Sequence, residues 1–307
     1  MNNFSQLANG VLMPKLGLGT YPLRGSILMD VVDAAYCEGY SLFDTADNYY
    51  NEADLGDAVQ NLYSKYSAKR ESLFLISKLS DELYEPGSLG GGGNKGAYFW
   101  KSSPLMCGDK AVHKVVVGKI EKTLKNLKTD YLDLLLMHWP YPDFFEEIWY
   151  EMEMLYKQGR VRSIGVCNCR ERHLEKLKRS CSVFPMVNQF ETSPVNTKQS
   201  LVEYCKQNNV QAMVYSPLKS LGYKGCVDYQ EFLDKMSKKY GKSAGQIVLK
   251  FDVQRGLVPI PKSTKKIRLR ENMDVFDFDL EEEDLKRLLS FNENKAYLPE
   301  SKSCPGY

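Results

Sequence analysis

The sequence has few of the features that mark membrane, secreted or nucleic-acid-binding proteins. No apolar run approaches the ~20 residues that span a bilayer, and the segment 1–10 has neither the charge nor the apolar core of a signal peptide. The formal net charge of the 307 residues is only +2, which gives no reason to expect a polyanionic partner. We therefore expect a cytoplasmic protein that binds neither membranes nor nucleic acids.

Cysteine and histidine are sparse and scattered, which argues against a metal centre. The 8 cysteines include no C-x-x-C pair. The closest two, Cys167 and Cys169, are separated by a single residue, which is not the spacing of a zinc site or a redox dithiol. With only 3 histidines in the chain, we expect no bound metal, and reduced thiols suit the cytosol.

A Rossmann fingerprint is also absent. Doubly wound nucleotide-binding domains carry G-x-G-x-x-G after their first strand. Here Gly17-Leu18-Gly19 lacks the third glycine. An open doubly wound sheet is therefore the less favoured alternative for the fold.

What the chain does contain is a regular alternation of short apolar strands and helical patterns. Asn9-Gly10 within 4–13 predicts a hairpin. Eight short strands follow, each succeeded by a helix, which implies a parallel sheet with right-handed crossovers. Eight such units in about 300 residues imply a closed barrel. We predict one α/β domain over 1–307, a (β/α)₈ TIM barrel with an N-terminal β-hairpin and two extra helices.

One segment, 80–111, does not fit this alternation. It contains a glycine run over 90–93 and the adjacent aromatics Tyr98, Phe99 and Trp100. Loops of this length are uncommon in compact domains and are often functional. We interpret it as a long Gly-rich insertion, either a flexible surface loop or a lid over a substrate.

The stretch 41–52 is the clearest candidate site. Its apolar run ends at Asp44, Tyr49 lies in the following polar loop, and a helical pattern starts near Glu52. In a barrel, residues at the carboxyl ends of strands carry the chemistry. We hypothesise that Tyr49 is a proton donor whose acidity Asp44 helps to set; an exposed turn with ordinary tyrosines is the alternative.

Polar residues follow every predicted barrel strand, and in a barrel they would all face one mouth. Each has a structural alternative: Asp44 with Lys78 would be a plain buried ion pair, and the amides would be packing groups. Their convergence is stronger evidence for a site than any one of them. The residues are Thr20, Asp44, Lys78, His138, Asn168, Gln189, Tyr215 and Lys262.

At these positions the chain resembles an aldo-keto reductase along nearly its whole length. The matching segments agree in order, spacing and strand-end placement. They are Gly17–Tyr21, Asp44–Glu52, Ser77-Lys78, Leu136–Pro140, Ile164–Asn168, Asn188-Gln189, Tyr215–Leu218 and Ile260–Ser263, followed by Arg268, Glu271 and Asn272. The resemblance implies a barrel that binds a nicotinamide cofactor without a Rossmann motif and reduces aldehydes or ketones.

The resemblance also implies catalytic roles. Tyr49 would protonate the carbonyl oxygen, and the Lys78 ammonium would lower the phenol pKa from its ordinary ~10. Asp44 would hold that ammonium, and His138 would orient the carbonyl by a hydrogen bond. A wall of the substrate pocket would comprise Tyr21, Asn48, His138 and Trp139.

For the cofactor, the resemblance implies NADPH rather than NADH. Tyr215 would stack on the nicotinamide, and the 2′-phosphate would meet two cations and a hydroxyl, a set that suits a dianion. The implied contacts are Gly19, Thr20, Tyr21, Asp44, Asn168, Gln189, Tyr215, Ser216, Leu218, Ser220, Lys262, Ser263, Arg268, Glu271 and Asn272.

The substrate itself is a small carbonyl compound that the sequence does not identify. Ser80, where many members have tryptophan, and Cys167, where serine is usual, depart from the pattern. Two other functions stay open: a non-catalytic NADP-binding regulatory or structural subunit, and a barrel enzyme acting on sugar phosphates, whose phosphate sites also follow the last strands. We expect a monomer.

Overall fold

Eight parallel strands form the centre of the fold in a computed structural model that describes residues 3–80, 109–141 and 144–297. Each strand pairs with the next along the chain. The strands are β3 (Leu18–Gly19), β4 (Leu42–Asp44), β5 (Phe74–Leu79), β6 (Leu134–Met137), β7 (Ile164–Cys167), β8 (Val187–Glu191), β9 (Gln211–Tyr215) and β10 (Val258–Pro259). Their side chains are nearly all buried, as expected for strands covered on both faces.

Hydrogen bonds between the first and last strands close the barrel. The Gly17 N–H donates to the Pro259 carbonyl at 3.1 Å, and the Gly19 N–H donates to the Pro261 carbonyl at 3.2 Å. A side chain at Gly19 would meet the Ile260 carbonyl oxygen at 2.9 Å, so this junction requires glycine. The predicted hairpin is also present, as β1 (Phe4–Gln6) and β2 (Leu12–Pro14).

Helices follow the barrel strands in the predicted alternation. One lies between β9 and β10 in addition to the expected one, and one follows the barrel, which accounts for the two extra helices. The helices are α1 (Gly25–Cys37), α2 (Glu52–Tyr66), α3 (Asp109–Leu127), α4 (Phe145–Lys157), α5 (Glu171–Ser180), α6 (Gln199–Gln207), α7 (Val227–Tyr240), α8 (Ala244–Gln254), α9 (Lys266–Met273) and α10 (Glu282–Ser290).

Two boundaries differ from the prediction. The apolar run over 131–137 predicts a strand, but β6 begins only at Leu134. The buried Asp133 carboxylate accepts a hydrogen bond from the Leu75 N–H at 2.9 Å instead and pairs with Arg70 and Arg162. The insertion expected over 80–111 ends earlier, since α3 already starts at Asp109. Residues 81–108, on which the choice between a surface loop and a lid depends, lie outside the described residues.

The length and apolar character of a helix decide whether it can cross a membrane. Within the described ranges, no helix has both the length and the apolar character to cross a bilayer.

A buried carboxyl group in α8 makes stability depend on pH. Asp252 is fully buried, neither of its oxygens has a hydrogen-bond partner in the described part of the chain, and Arg255 is 3.9 Å away. Burial raises the pKa of Asp252 to about 8. The folded protein therefore holds a proton that the unfolded chain releases above pH ~4, so the free energy of unfolding should fall as pH rises from ~4 to 8.

We expect Asp252→Asn to remove that slope and to stabilise the protein by about 1–2 kcal/mol at pH 8.5. The full linkage is larger, at ~1.4 kcal/mol per pKa unit, but the new amide would also lack partners. Urea unfolding at several pH values measures the effect, with the exposed Asp234→Asn as the control. An unchanged pH slope in Asp252→Asn would contradict the assignment.

Candidate active site

A buried ion pair joins two neighbouring strands at the mouth of the barrel. Lys78 on β5 donates to Asp44 Oδ1 at 2.6 Å and to the Thr45 carbonyl at 2.8 Å. The side chains of Lys78 and Asp44 are 0% and 4% exposed. Asp44 ends β4, so the two strands alone bring the charges together. A charge this deeply buried persists only when paired, and the ammonium position is therefore fixed.

Gln189 on β8 completes the environment of the carboxylate. Its Nε2 donates to Asp44 Oδ2 at 2.8 Å, so both carboxylate oxygens accept a hydrogen bond. The amide is thus more than a packing group: it fixes the plane of the Asp44 carboxylate from the opposite side of the barrel.

The turn Asp47–Tyr49 brings a phenol to this pair. The Tyr49 hydroxyl lies 3.4 Å from Lys78 Nζ. Asn51 holds the base of the loop, because it accepts from Thr45 Oγ1 at 2.6 Å and donates to Thr20 Oγ1 at 3.1 Å. Phenol, ammonium and carboxylate therefore form one continuous chain of contacts.

The prediction that the Lys78 ammonium lowers the pKa of the Tyr49 phenol below its ordinary value is wrong, because the net shift is upward. Burial raises the pKa of Tyr49 to about 12, and the Lys78 charge lowers it by less than burial raises it. Burial also opposes the charge of Lys78, but Asp44, Tyr49 and Cys167 together outweigh burial and keep the pKa of Lys78 above its usual value. Burial therefore dominates over the Lys78 charge, and Tyr49 holds its proton at neutral pH.

His138 follows β6 and lies beside the phenol. Its ring centroid is 5.8 Å from that of Tyr49. Burial, and then the charges of Lys78 and Lys119, hold the pKa of His138 well below its usual value, so the imidazole is neutral at pH 7. Its Nδ1 is buried and has no hydrogen-bond partner in the described part of the chain. A neutral imidazole can donate one hydrogen bond and accept one.

Asn168 and Tyr215 form a second polar group on the same rim. Asn168, in the left-handed region at φ +58°, donates from Nδ2 to the His138 carbonyl at 3.1 Å. Tyr215, at the end of β9, donates from its hydroxyl to Asn168 Oδ1 at 2.8 Å. These contacts link the ends of β6, β7 and β9, as the predicted convergence requires.

Three of the implied cofactor contacts, Ser216, Leu218 and Ser220, lie at the turn after β9, Pro217–Gly222. Ser216 starts this turn at φ +53°, and Leu218 is half-buried. Ser220 is fully buried, and its Oγ accepts a hydrogen bond from the Tyr229 hydroxyl at 2.9 Å. Its hydroxyl therefore already has a partner within the protein.

A cationic surface follows β10. Lys262 and Arg268 are exposed, and neither forms an ion pair with the residues that the structure describes. Ser263 is buried, and its Oγ accepts from the Lys265 N–H at 3.1 Å. Asn272 is buried with an Nδ2 that lacks a partner among the described atoms, and Glu271 beside it is half-buried. This surface offers cations and an unsatisfied amide donor to an anionic group.

The predicted pocket wall is only partly exposed. Tyr21 is 59% exposed, and its ring lies 4.9 Å from that of Tyr49. Trp139 is 7% exposed and lies 6.4 Å from the His138 ring. The buried Oδ1 of Asn48 has no partner within the described ranges. Tyr21 therefore forms the rim beside the phenol, whereas Trp139 backs the imidazole. The remaining predicted residue, Thr20, donates to the Asp44 carbonyl at 2.8 Å.

Sequence reasoning missed one ion pair at this mouth. Lys119 on α3 donates to Asp47 Oδ2 at 2.6 Å, two residues before Tyr49. Lys119 is one of several lysines in a helical pattern, and nothing in its spacing distinguishes it from its solvated neighbours. Asp47 alone, as a second acid in the loop after β4, was a signal that could have been noticed.

Comparisons with known proteins agree with this geometry. The Aldo/keto reductase family model matches residues 15–293. The chain is 35% identical over 297 residues to a glyoxal reductase of Bacillus subtilis, covering 96% of this chain and 94% of that protein. It is 34% identical to the methylglyoxal reductase of Escherichia coli strain K12, with 98% of each chain covered.

A solved structure agrees as well. The Bombyx mori aldo-keto reductase in complex with NADP superposes with a TM-score of 0.83 at 31% identity, covering 99% of this chain and 98% of that one. The match of the family model, the relatives and the fold spans almost the entire chain. The chain therefore belongs to the aldo/keto reductase family of NADP(H)-dependent oxidoreductases.

Proposed function

We propose that the protein reduces small, reactive aldehydes or ketones to alcohols with NADPH, and that Tyr49 donates the proton. The observation that carries this proposal is the Tyr49–Lys78–Asp44 contact chain, with 3.4 Å and 2.6 Å between its polar atoms. Similarity to a glyoxal reductase and a methylglyoxal reductase favours short dicarbonyl compounds as substrates.

Each residue of the site has a separate role in the proposed reaction. NADPH, when bound, supplies the hydride that attacks the carbonyl carbon. Tyr49 donates its proton to the carbonyl oxygen as negative charge develops there. The Lys78 ammonium then stabilises the phenolate that remains, and Asp44 keeps that ammonium in place. Neutral His138 donates a hydrogen bond that orients the carbonyl oxygen.

The residues after β10 fit the cofactor's anionic end. Lys262 and Arg268 leave their charged groups exposed and without ion-pair partners in the described residues. The buried Asn272 Nδ2, which lacks a partner in the same ranges, would be satisfied by an acceptor on the adenosine. Arg268 can bond a phosphate dianion bidentately, which favours the 2′-phosphate of NADPH over NADH.

Arg268→Ala is expected to raise KM for NADPH by roughly 10–100-fold, in line with the 1.5–3 kcal/mol typical of hydrogen bonds to charged groups. KM for NADH should change less than twofold, and kcat should stay the same, because the residue is remote from the reacting atoms. Initial rates with both cofactors measure this. Arg270→Ala is the matched control on the same helix, since Arg270 pairs with Glu38 instead. Equal KM changes for NADPH and NADH would contradict the assignment.

One assay separates the three candidate functions. The protein is mixed with NADPH and methylglyoxal, and the loss of NADPH absorbance is followed. Turnover supports the reductase. Binding of NADPH without turnover of any aldehyde in a panel supports a regulatory subunit. If the protein neither binds NADPH nor turns over an aldehyde, the result supports the sugar-phosphate enzyme.

A further inference from the structure

An ion pair outside the four proposed catalytic residues connects the two segments that carry the proton donor and its cation. We propose that Asp47, Ser80 and Lys119, here called the Lys119 bridge, position Tyr49 against Lys78. Lys119 and Asp47 are thus positioning residues rather than catalytic ones. This inference rests on the proposed carbonyl reduction and adds residues to it.

The contacts of the Lys119 bridge are specific. Lys119 Nζ donates to Asp47 Oδ2 at 2.6 Å, to the Ser80 carbonyl at 2.9 Å and to Ser80 Oγ at 3.2 Å. The Ser80 N–H donates back to the two Asp47 oxygens at 3.1 Å and 3.2 Å. One carboxylate and one ammonium therefore join the loop after β4 to the end of β5.

The Lys119 bridge can position the proton donor because it lies next to both Tyr49 and Lys78 along the chain. Asp47 lies two residues before Tyr49, and Ser80 lies two residues after Lys78. The Lys119 bridge thus joins the segment that carries the phenol to the segment that carries the ammonium. Such a link would fix the 3.4 Å distance between the Tyr49 hydroxyl and Lys78 Nζ. Asn51 secures the other end of the loop, so Asp47 and Asn51 hold the turn at its two ends.

Two observations argue that Lys119 acts through structure rather than by touching substrate. An ammonium has three N–H donors, and all three have acceptors within the bridge. The side chains of Lys119 and Asp47 are only 15% and 14% exposed. An ion pair this shielded is screened less by solvent than a surface pair, so its geometry is well defined.

We expect Lys119→Met to lower kcat by roughly 10–100-fold while KM for NADPH changes less than twofold, because a small displacement of a catalytic group is costly. Lys119→Arg, which keeps the charge near Asp47, should recover most of the rate. Asp47→Asn should lose rate as Lys119→Met does, and the double variant should lose little more than either. Lys125→Met, on the same helix and exposed, is the control and should match wild type.

A second measurement does not depend on turnover. In protein with ¹³C-labelled tyrosine, the Tyr49 resonance is identified by its absence in Tyr49→Phe. It should shift in Lys119→Met and in Asp47→Asn, return toward the wild-type position in Lys119→Arg, and stay unchanged in Lys125→Met. Should Lys119→Met not fold, Asp47→Asn and Ser80→Ala carry the same comparison.

The outcomes separate this inference from the proposed function. An unchanged Tyr49 resonance in Lys119→Met would overturn the bridge, and so would a higher KM for the carbonyl at unchanged kcat, which would make Lys119 a substrate contact. Failure of the wild type to reduce methylglyoxal or any other carbonyl overturns the proposed function, and the tyrosine resonance then decides about the bridge by itself.

Discussion

Tyr49→Phe is expected to lower kcat for carbonyl reduction by about 10²–10⁴-fold, the usual contribution of a positioned acid. The substitution removes one oxygen and keeps the ring, so the tilted ring contact with Tyr21, at 4.9 Å between centroids, is retained. No other described phenol contacts the Lys78 ammonium at hydrogen-bond distance. The oxygen of the carbonyl would then have to take its proton from water.

The measurement is a comparison of kcat, KM for NADPH and KM for methylglyoxal in the two proteins. KM for NADPH should be nearly unchanged, because Tyr49 acts on the carbonyl oxygen. Tyr50→Phe is the matched control: the neighbouring tyrosine is 47% exposed and outside the contact chain. A Tyr49→Phe enzyme with wild-type kcat would remove the role assigned to the phenol.

The phenol's environment explains why this effect is large even though its pKa is raised. At a pKa of about 12 the hydroxyl is fully protonated at neutral pH, so every molecule carries the transferable proton. A weak acid is a poor donor unless its conjugate base is stabilised, and Lys78 is the group in contact that can do so. The ammonium therefore contributes more by stabilising the phenolate after proton transfer than by making the phenol acidic beforehand.

The order of strands and the identity of the strand-end residues were predictable from the sequence. Asp44, Lys78 and Gln189 each end or adjoin an apolar run, and a closed barrel has only one mouth for such residues to share. Their contacts at 2.6 Å and 2.8 Å confirm that convergence. Pattern and topology are sufficient here because neither depends on side-chain detail.

The features that were not predictable depend on long-range burial and pairing. β6 begins only after Asp133, because Arg70 and Arg162 pair with that carboxylate, which the apolar run does not reveal. The sign of the Tyr49 pKa shift is set by how much solvent the fold removes, and Lys119 is distinguished only by the loop that it reaches. Each of these is a property of three-dimensional distance rather than of local spacing.

Lys78→Met is expected to destabilise the protein by about 3–5 kcal/mol, the usual cost of removing one partner of a buried ion pair. The Asp44 carboxylate, 4% exposed, would keep Gln189 as its one side-chain partner among the described residues. Activity should fall at least as far as in Tyr49→Phe, because the phenolate loses its cation. Urea unfolding and initial rates measure the two effects on the same samples.

Two further variants separate the loss of a charge from the loss of a packing group. Asp44→Asn combined with Lys78→Met should be more stable than Lys78→Met alone, since no unpaired carboxylate remains, yet it should recover no activity. Lys250→Met is the matched control: Lys250 is 3% exposed, but its partner Asp279 is 59% exposed and can be solvated when the lysine is removed. Its stability should therefore fall by much less, on the order of 1 kcal/mol. If Lys78→Met and Lys250→Met were equally stable, the Asp44–Lys78 pair would not be the buried, fixed charge on which the proposed proton transfer depends.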